Sequence, residues 1–261
     1  MSYLGRAGIA ASAFGMVISL CCAGHAADIK QYDVMEFIGP AAGKETAFNA
    51  WYKAHAAQVL KVPGVENVQR FKVDPAQRPN TPFSPFYLQI ELATADLDAA
   101  AGKLSSLMAQ GQDVTDKDST VMAFYEPKPK LMAKDVSGTT PAPAIPGETK
   151  LKTFYLLAMV NADPQHDAEF NRNYDDVHFP DVIRNPGVVW GQRAIRVRVE
   201  PGDAAWPGYL ATYEYRAYDV PAANDEVNRR LQEHITRPLT FTSQGGHTWY
   251  SEATGPLLHA K

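Results

Sequence analysis

The chain has 261 residues, 45% of them hydrophobic, with 25 lysines and arginines against 29 aspartates and glutamates and a net charge of −4. That balance repels polyanions, so nucleic acid is not an expected partner. The only two cysteines, Cys21 and Cys22, fall in an amino-terminal leader, which excludes disulfides, Cys-ligated zinc, iron–sulfur clusters and a thiol nucleophile from whatever folds after it.

Residues 1–27 read as a secretory signal peptide: Arg6, an apolar run over 9–20, then the small residues Gly24, Ala26 and Ala27. The run is too short to cross a bilayer unaided, and no leucine stands three positions before either cysteine, so no membrane or lipid anchor is expected. The expected location of the mature chain is periplasmic or secreted. Losing Arg6 with the leader makes it one charge more negative.

Beyond the leader the chain repeats itself. FNAWYKAHAAQVLKVPGVENVQRFKV, residues 48–73, aligns with FNRNYDDVHFPDVIRNPGVVWGQRAIRV, residues 170–197. Phe48-Asn49 matches Phe170-Asn171, Tyr52 matches Tyr174, Pro63-Gly64 matches Pro186-Gly187, and Gln69-Arg70 matches Gln192-Arg193. The second copy carries one extra residue between Tyr174 and His178. Further on, 86–94 answers 208–216 and 122–128 answers 247–253.

Each copy reads strand, helix, strand, strand, helix, strand. The first strands, 32–38 and 154–160, are short and largely apolar, as strands buried on two faces would be. A helix rich in alanine is expected over 93–107. In copy two, Asp163-Pro164 signals a helix start, and Asn185-Pro186-Gly187 stops that helix. Strands over 189–199 and 208–217 and a helix over 222–235 come next. The units span 28–130 and 151–261, joined by a Pro/Ser/Thr/Gly-rich linker over 131–150. The expected fold class is therefore α+β: two tandem ferredoxin-like βαββαβ units, each with one uncovered sheet face. Packing those sheets face to face makes an internal pseudo-dimer, which leaves further oligomers open.

On the first helix of copy two, Phe170, Tyr174, Val177, His178 and Asp181 share one face, and that face is apolar. His178 is thus expected to turn inward, with Tyr174 one turn before it and Asp175 and Asp181 three residues to either side. A carboxylate beside a partly buried imidazole orients it and opposes the fall in pKa that burial causes. His178 is the candidate general acid or base, Asp175 or Asp181 its orienting group, and Tyr174 a donor to a substrate oxygen. The alternative is an inward histidine that merely holds the turn. Pro180 should kink the helix beside the ring. Asn171, Asp181, Arg193, His247 and Trp249 are further substrate-binding candidates, although Arg193 is matched by Arg70, which favours a scaffold role. His247 would meet His178 only if it faces the helices.

No metal or nucleotide site is expected. GPAAGKE (39–45) has too short a glycine spacing and Glu45 where a phosphate loop needs Ser or Thr, and no zincin, nucleophile-elbow or dinucleotide motif occurs.

The pattern F-N-x-x-Y-D-x-x-H-x-P-x-x-x-x-x-P-G-V followed by GQR resembles the EthD-like branch of the dimeric α+β barrel superfamily. The resemblance implies ferredoxin-like units paired through their sheets. Copy one departs from it, with His55 three residues after Tyr52 and Ala57 in place of the proline, so a working site is expected in copy two. The superfamily spans monooxygenases, polyketide cyclases, lactone isomerases, dehydratases and heme proteins. The expectation is an exported enzyme without a cofactor, performing acid/base chemistry (isomerase, dehydratase, cyclase or lyase) on an apolar or aromatic carbonyl compound. The alternatives are a hydrophobic-ligand binding protein without catalysis, and a heme protein.

Overall fold

A computed structural model describes residues 28–75, 84–139, 150–202, 206–243 and 246–260. The signal-peptide segment and most of the second half of the expected linker lie outside the described residues. The first half contains β1 (Lys30–Ile38), α1 (Glu45–Val59), β2 (Val65–Val73), β3 (Phe86–Thr94), α2 (Leu97–Ala109) and β4 (Val121–Pro127). A short strand, β5 (Leu131–Met132), opens the connection. The second half contains β6 (Lys152–Val160), α3 (Asp167–Asn173), a π-helical turn (Tyr174–His178), α4 (Phe179–Ile183), β7 (Val188–Glu200), β8 (Tyr209–Ala217), α5 (Val220–Gln232) and β9 (His247–Ala253), with β10 (Leu258–His259) after it. No helix among the described residues is long and apolar enough to cross a membrane.

Eight strands pair in the order β2-β3-β1-β4-β7-β8-β6-β9, and β9 returns to β2. All of these pairings are antiparallel, and together they close a barrel. The two halves carry the same internal strand order. They meet along both edges, Met122–Pro127 against Ala194–Glu200 and Phe71–Val73 against Ser251–Ala253. The expectation named face-to-face packing of the two sheets, and the structure adds strand pairing along both edges. An edge strand carries a row of unpaired N–H and C=O groups, and edge-to-edge closure satisfies them while still enclosing the inner faces.

Alternation along each strand then makes three cores. Met35, Phe37, Phe71, Tyr87, Leu157, Met159, Leu210 and Trp249 fill the barrel interior. Val34 and Ile38 point the other way, into the layer under α1 and α2, and Leu156 and Tyr213 into the layer under α3 and α4. Because β6 feeds the interior with one set of residues and a helix layer with the other, residues 154–160 show no polar gaps, whereas β1 carries Asp33 on its interior face and Glu36 under the helices.

The repeated Pro-Gly pairs end the first helix of each half. Gly64 and Gly187 both have positive φ, +89° and +86°, and their carbonyls accept from Ala93 N and Arg216 N, each at 2.7 Å. A Cβ on Gly64 would stand 2.3 Å from the Ala93 carbonyl oxygen. Gly64→Ala should therefore cost at least about 2 kcal/mol and lower the melting temperature by roughly 4–8 °C. A thermal melt showing no decrease would contradict this role for the motif.

Several boundaries differ from expectation. The expected helix start at Asp163 is instead a turn in which the Asp163 carboxylate accepts from Gln165 N, and α3 begins at Asp167. Asp219 caps α5 through Ala222 N, and Asp96 caps α2 through Ala99 N. The start of the expected linker is not free chain: Leu131–Met132 pairs with Trp190 and Gly191 of β7. Pro180 comes after the π turn, so the irregularity expected at the proline falls one turn earlier.

Candidate functional site

The π turn is where the extra residue of copy two goes. Its counterpart α1 is an uninterrupted α-helix. One added residue would rotate everything after it by about 100°, throwing either Phe170 and Tyr174 or Val182 and Ile183 off the sheet. Widening a single turn absorbs the addition and keeps both sets buried. The Phe179 N–H accordingly donates to the carbonyl of Tyr174, five residues back.

His178 ends this turn. Its Nδ1 lies 2.7 Å from the Arg237 carbonyl, so Nδ1–H donates there and Nε2 is left carrying the lone pair. The ring is half-buried and stands edge-on to Tyr174, centroids 5.3 Å apart. Burial holds the His178 pKa below its ordinary 6.5, against the opposing pull of the Arg237 carbonyl and Asp181. The imidazole is thus neutral at pH 7. Because the unfolded chain binds this proton more tightly, stability from this group is complete above about pH 6.5. It is lost as pH falls from there through the lower folded value.

The two flanking aspartates do not orient the ring. Asp175 accepts from Lys128 Nζ at 2.6 Å and from Arg193 Nη1. Burial works to raise its pKa, but these two cations hold it below the carboxylate range. Asp181 accepts from Arg184 Nη1 at 2.9 Å and from Arg237 through Nε at 2.7 Å, Nη2 at 3.1 Å and the backbone N–H at 3.1 Å. Burial opposes these bonds, yet its pKa too is lowered. Asp181 therefore grips the residue whose carbonyl holds His178, and beyond the pull of its charge it acts on the ring only through that residue.

Arg193 lies beneath all of this, 2% exposed. Its guanidinium sits 3.9 Å from the Tyr174 ring centroid and donates to Asn171 Oδ1 at 3.1 Å. Asn171 Nδ2 donates in turn to the Tyr209 hydroxyl at 2.9 Å, which bonds Asp167. Tyr174 is 1% exposed, with its hydroxyl against that of Tyr213. The tyrosine expected to meet a substrate oxygen instead belongs to the core and supports Arg193. The symmetry-related Arg70 also lies over a tyrosine, 5.5 Å from the Tyr52 centroid, but reaches the Thr254 carbonyl rather than a carboxylate.

His247 and Trp249 are not part of this arrangement. Trp249 packs in the barrel interior against Phe37, and His247, two residues earlier on the same strand, shares that face. The sheet separates both from His178. Lys128, Tyr209, Tyr213 and Arg237 were not legible in the sequence; they reach the site from other elements and carry no local motif. Among the described residues no group of His, Cys, Asp and Glu is arranged to hold a metal.

Copy one closes the corresponding position. His55 Nε2 lies 2.8 and 3.0 Å from the two Glu36 oxygens, both residues are at most 2% exposed, and Trp51 stacks on the ring at 4.5 Å. At the position matching Glu36, copy two has Ala158.

This architecture has counterparts among solved structures. An anthrone oxidase-like protein superimposes with a TM-score of 0.55 at 9% identity, covering 88% of this chain and 93% of that one. A candidate monooxygenase from Fusobacterium nucleatum subsp. nucleatum gives 0.54 at 11% identity over 89% and 95%. The chlorite dismutase of Candidatus Nitrospira defluvii, solved with imidazole, gives 0.53 at 8% over 86% and 91%. The chain has the dimeric α+β barrel fold. No protein-family model and no curated protein sequence matches it. At these identities the likeness concerns the fold, and a fold shared by an oxidase-like protein, a monooxygenase and a dismutase does not select a reaction.

Proposed function

We propose that this chain is an exported, EthD-like enzyme built from two tandem ferredoxin-like units. In this reading the second unit performs acid/base chemistry without a cofactor on a small apolar or aromatic carbonyl compound, as an isomerase, dehydratase, cyclase or lyase. The observation that carries the proposal is the state of His178: a half-buried imidazole, neutral at pH 7, with Nδ1–H committed to a carbonyl and Nε2 available as a base. Arg193 supplies fixed positive charge close by, toward which an enolate or carboxylate oxygen would be drawn. Asp175, itself held by Lys128, and Asn171 hold the guanidinium in place. Asp181 holds the Arg237 backbone.

The test begins with a panel of aromatic and aliphatic carbonyl compounds, with mass spectrometry reading turnover. His178→Gln should lower kcat/KM by about 100-fold or more while the protein remains folded. The acid limb of the wild-type kcat/KM profile should fall below pH 6.5, because the base stays unprotonated to a lower pH than free imidazole. Unchanged turnover in the variant, or no acid limb, would overturn the assignment.

Heme is the second reading, favoured by the same Nε2, since an imidazole oriented through Nδ1–H is suited to ligating iron. The space does not fit. Phe170, Tyr174, Phe179, Tyr213 and Tyr215 fill the layer between helix and sheet, each 6% exposed or less, and a porphyrin has no slot among them. Addition of hemin should produce no Soret shift; a shift lost in His178→Gln would reverse the order of the two readings.

A further inference from the structure

The barrel interior is apolar at its centre but polar at one mouth. Asp33 and Glu91 oppose each other across β1 and β3, Asn67 opposes Glu91 from β2, and Glu214 lies between Tyr155 and Trp190 across β6, β8 and β7. A cavity of about 190 Å³ opens there, with Phe71, Tyr155 and Trp190 as its aromatic walls and Gln69, Gln89 and Glu91 as its polar ones. A second, of about 360 Å³, adjoins it at Glu91 and Lys130 and reaches Asp33.

Two observations say what this mouth would bind. Asp33 is only 8% exposed and lines the cavity, yet among the described residues no donor bonds its carboxylate. Burial, reinforced by Glu91, raises its pKa to about 6, and the charge of Lys130 opposes that rise. Secondly, Lys130 already behaves as a tethered ligand. Its ammonium lies 4.1 Å from the Trp190 ring centroid, and the residue is exposed, on the Pro-Lys-Pro-Lys segment that leaves β4. The Trp190 indole is fixed by its N–H bond to Glu214 at 2.7 Å. An aromatic face with carboxylates around it is the ordinary recognition surface for an organic cation. A buried carboxylate lacking a donor selects one that carries N–H groups.

We propose that the barrel mouth is a binding site for a small protonated amine, whose ammonium takes the place of Lys130 over Trp190 and donates to Asp33. This site is on the opposite face of the sheet from His178 and does not depend on the reading of that residue.

The probe is phenethylammonium chloride, titrated calorimetrically at pH 8, where the amine is charged and Asp33 ionised. 2-Phenylethanol and 3-phenylpropionate serve as neutral and anionic controls of similar shape. Lys130→Met should tighten the amine by about 10-fold by removing the competing cation, and Asp33→Asn in that background should reverse the gain. Trp190→Leu, checked for folding by circular dichroism, should weaken it similarly. Neither control should bind. Binding of the alcohol as tightly as the amine, an unchanged affinity in Lys130→Met, or no amine binding to either form would overturn the proposal.

Discussion

Asp175→Ala should lower the free energy of unfolding by about 3 kcal/mol, a large share of what a domain possesses. The cost arises at Arg193 rather than at the aspartate. Asp175 is 37% exposed and would be solvated easily, whereas the Arg193 side chain is 2% exposed and cannot follow it into water. Removing the carboxylate leaves a buried guanidinium with one amide oxygen and the rings of Tyr174, Tyr209 and Phe170 as its remaining partners among the described residues. Among the described residues its Nε has no hydrogen-bond partner. Water entering from the exposed side places the expected cost at the lower end of the range for a broken buried pair. Asp175→Asn should cost less, because an amide oxygen can still accept from Arg193. Urea unfolding of the three proteins measures this directly, and equal midpoints for wild type and Asp175→Ala would show that the pair carries no net stability.

Deleting Asp176 should leave a folded barrel whose second-half site has lost its function, with turnover or ligand affinity reduced about 100-fold. Asp176 is exposed and lies within the π turn. Without it the helix can return to the continuous α form of α1, at a stability change of about 1–2 kcal/mol. The histidine would then stand three positions after the tyrosine, as His55 does after Tyr52. The rotation carries the ring away from the Arg237 carbonyl, since Asp181, bound to Arg184 and Arg237, fixes the far side of the helix. The Nδ1 resonance of His178 in a nitrogen-detected spectrum reports that bond. A deletion variant that keeps both the bond and the activity would show that the π turn is incidental.

The two halves have diverged at corresponding positions. In the first, Glu36 fills the space beside the histidine and takes its ring nitrogen. In the second, the matching residue is Ala158, the histidine bonds a loop carbonyl through Nδ1, and no described residue takes its Nε2. A residue inserted in a helix and a carboxylate exchanged for a methyl group are enough to separate a sealed core from a candidate site.

Much of this molecule is legible in its residues alone. The largely apolar strands, the duplicated Tyr and Pro-Gly positions and the extra residue before His178 are local patterns, set by chain geometry that neighbouring residues determine among themselves. The partners of the charged groups are not, and the reason is distance along the chain. Lys128 reaches Asp175 across 47 residues, and the Arg237 carbonyl reaches His178 across 59. Helical spacing puts two carboxylates three residues to either side of the histidine, but a carboxylate binds whichever cation the fold brings nearest, and three arginines and a lysine outcompeted the ring. The face taken by His247 was likewise undecided until barrel closure assigned an inside to β9. Sequence periodicity determines which way a side chain points relative to its own backbone; only tertiary packing decides what it meets there.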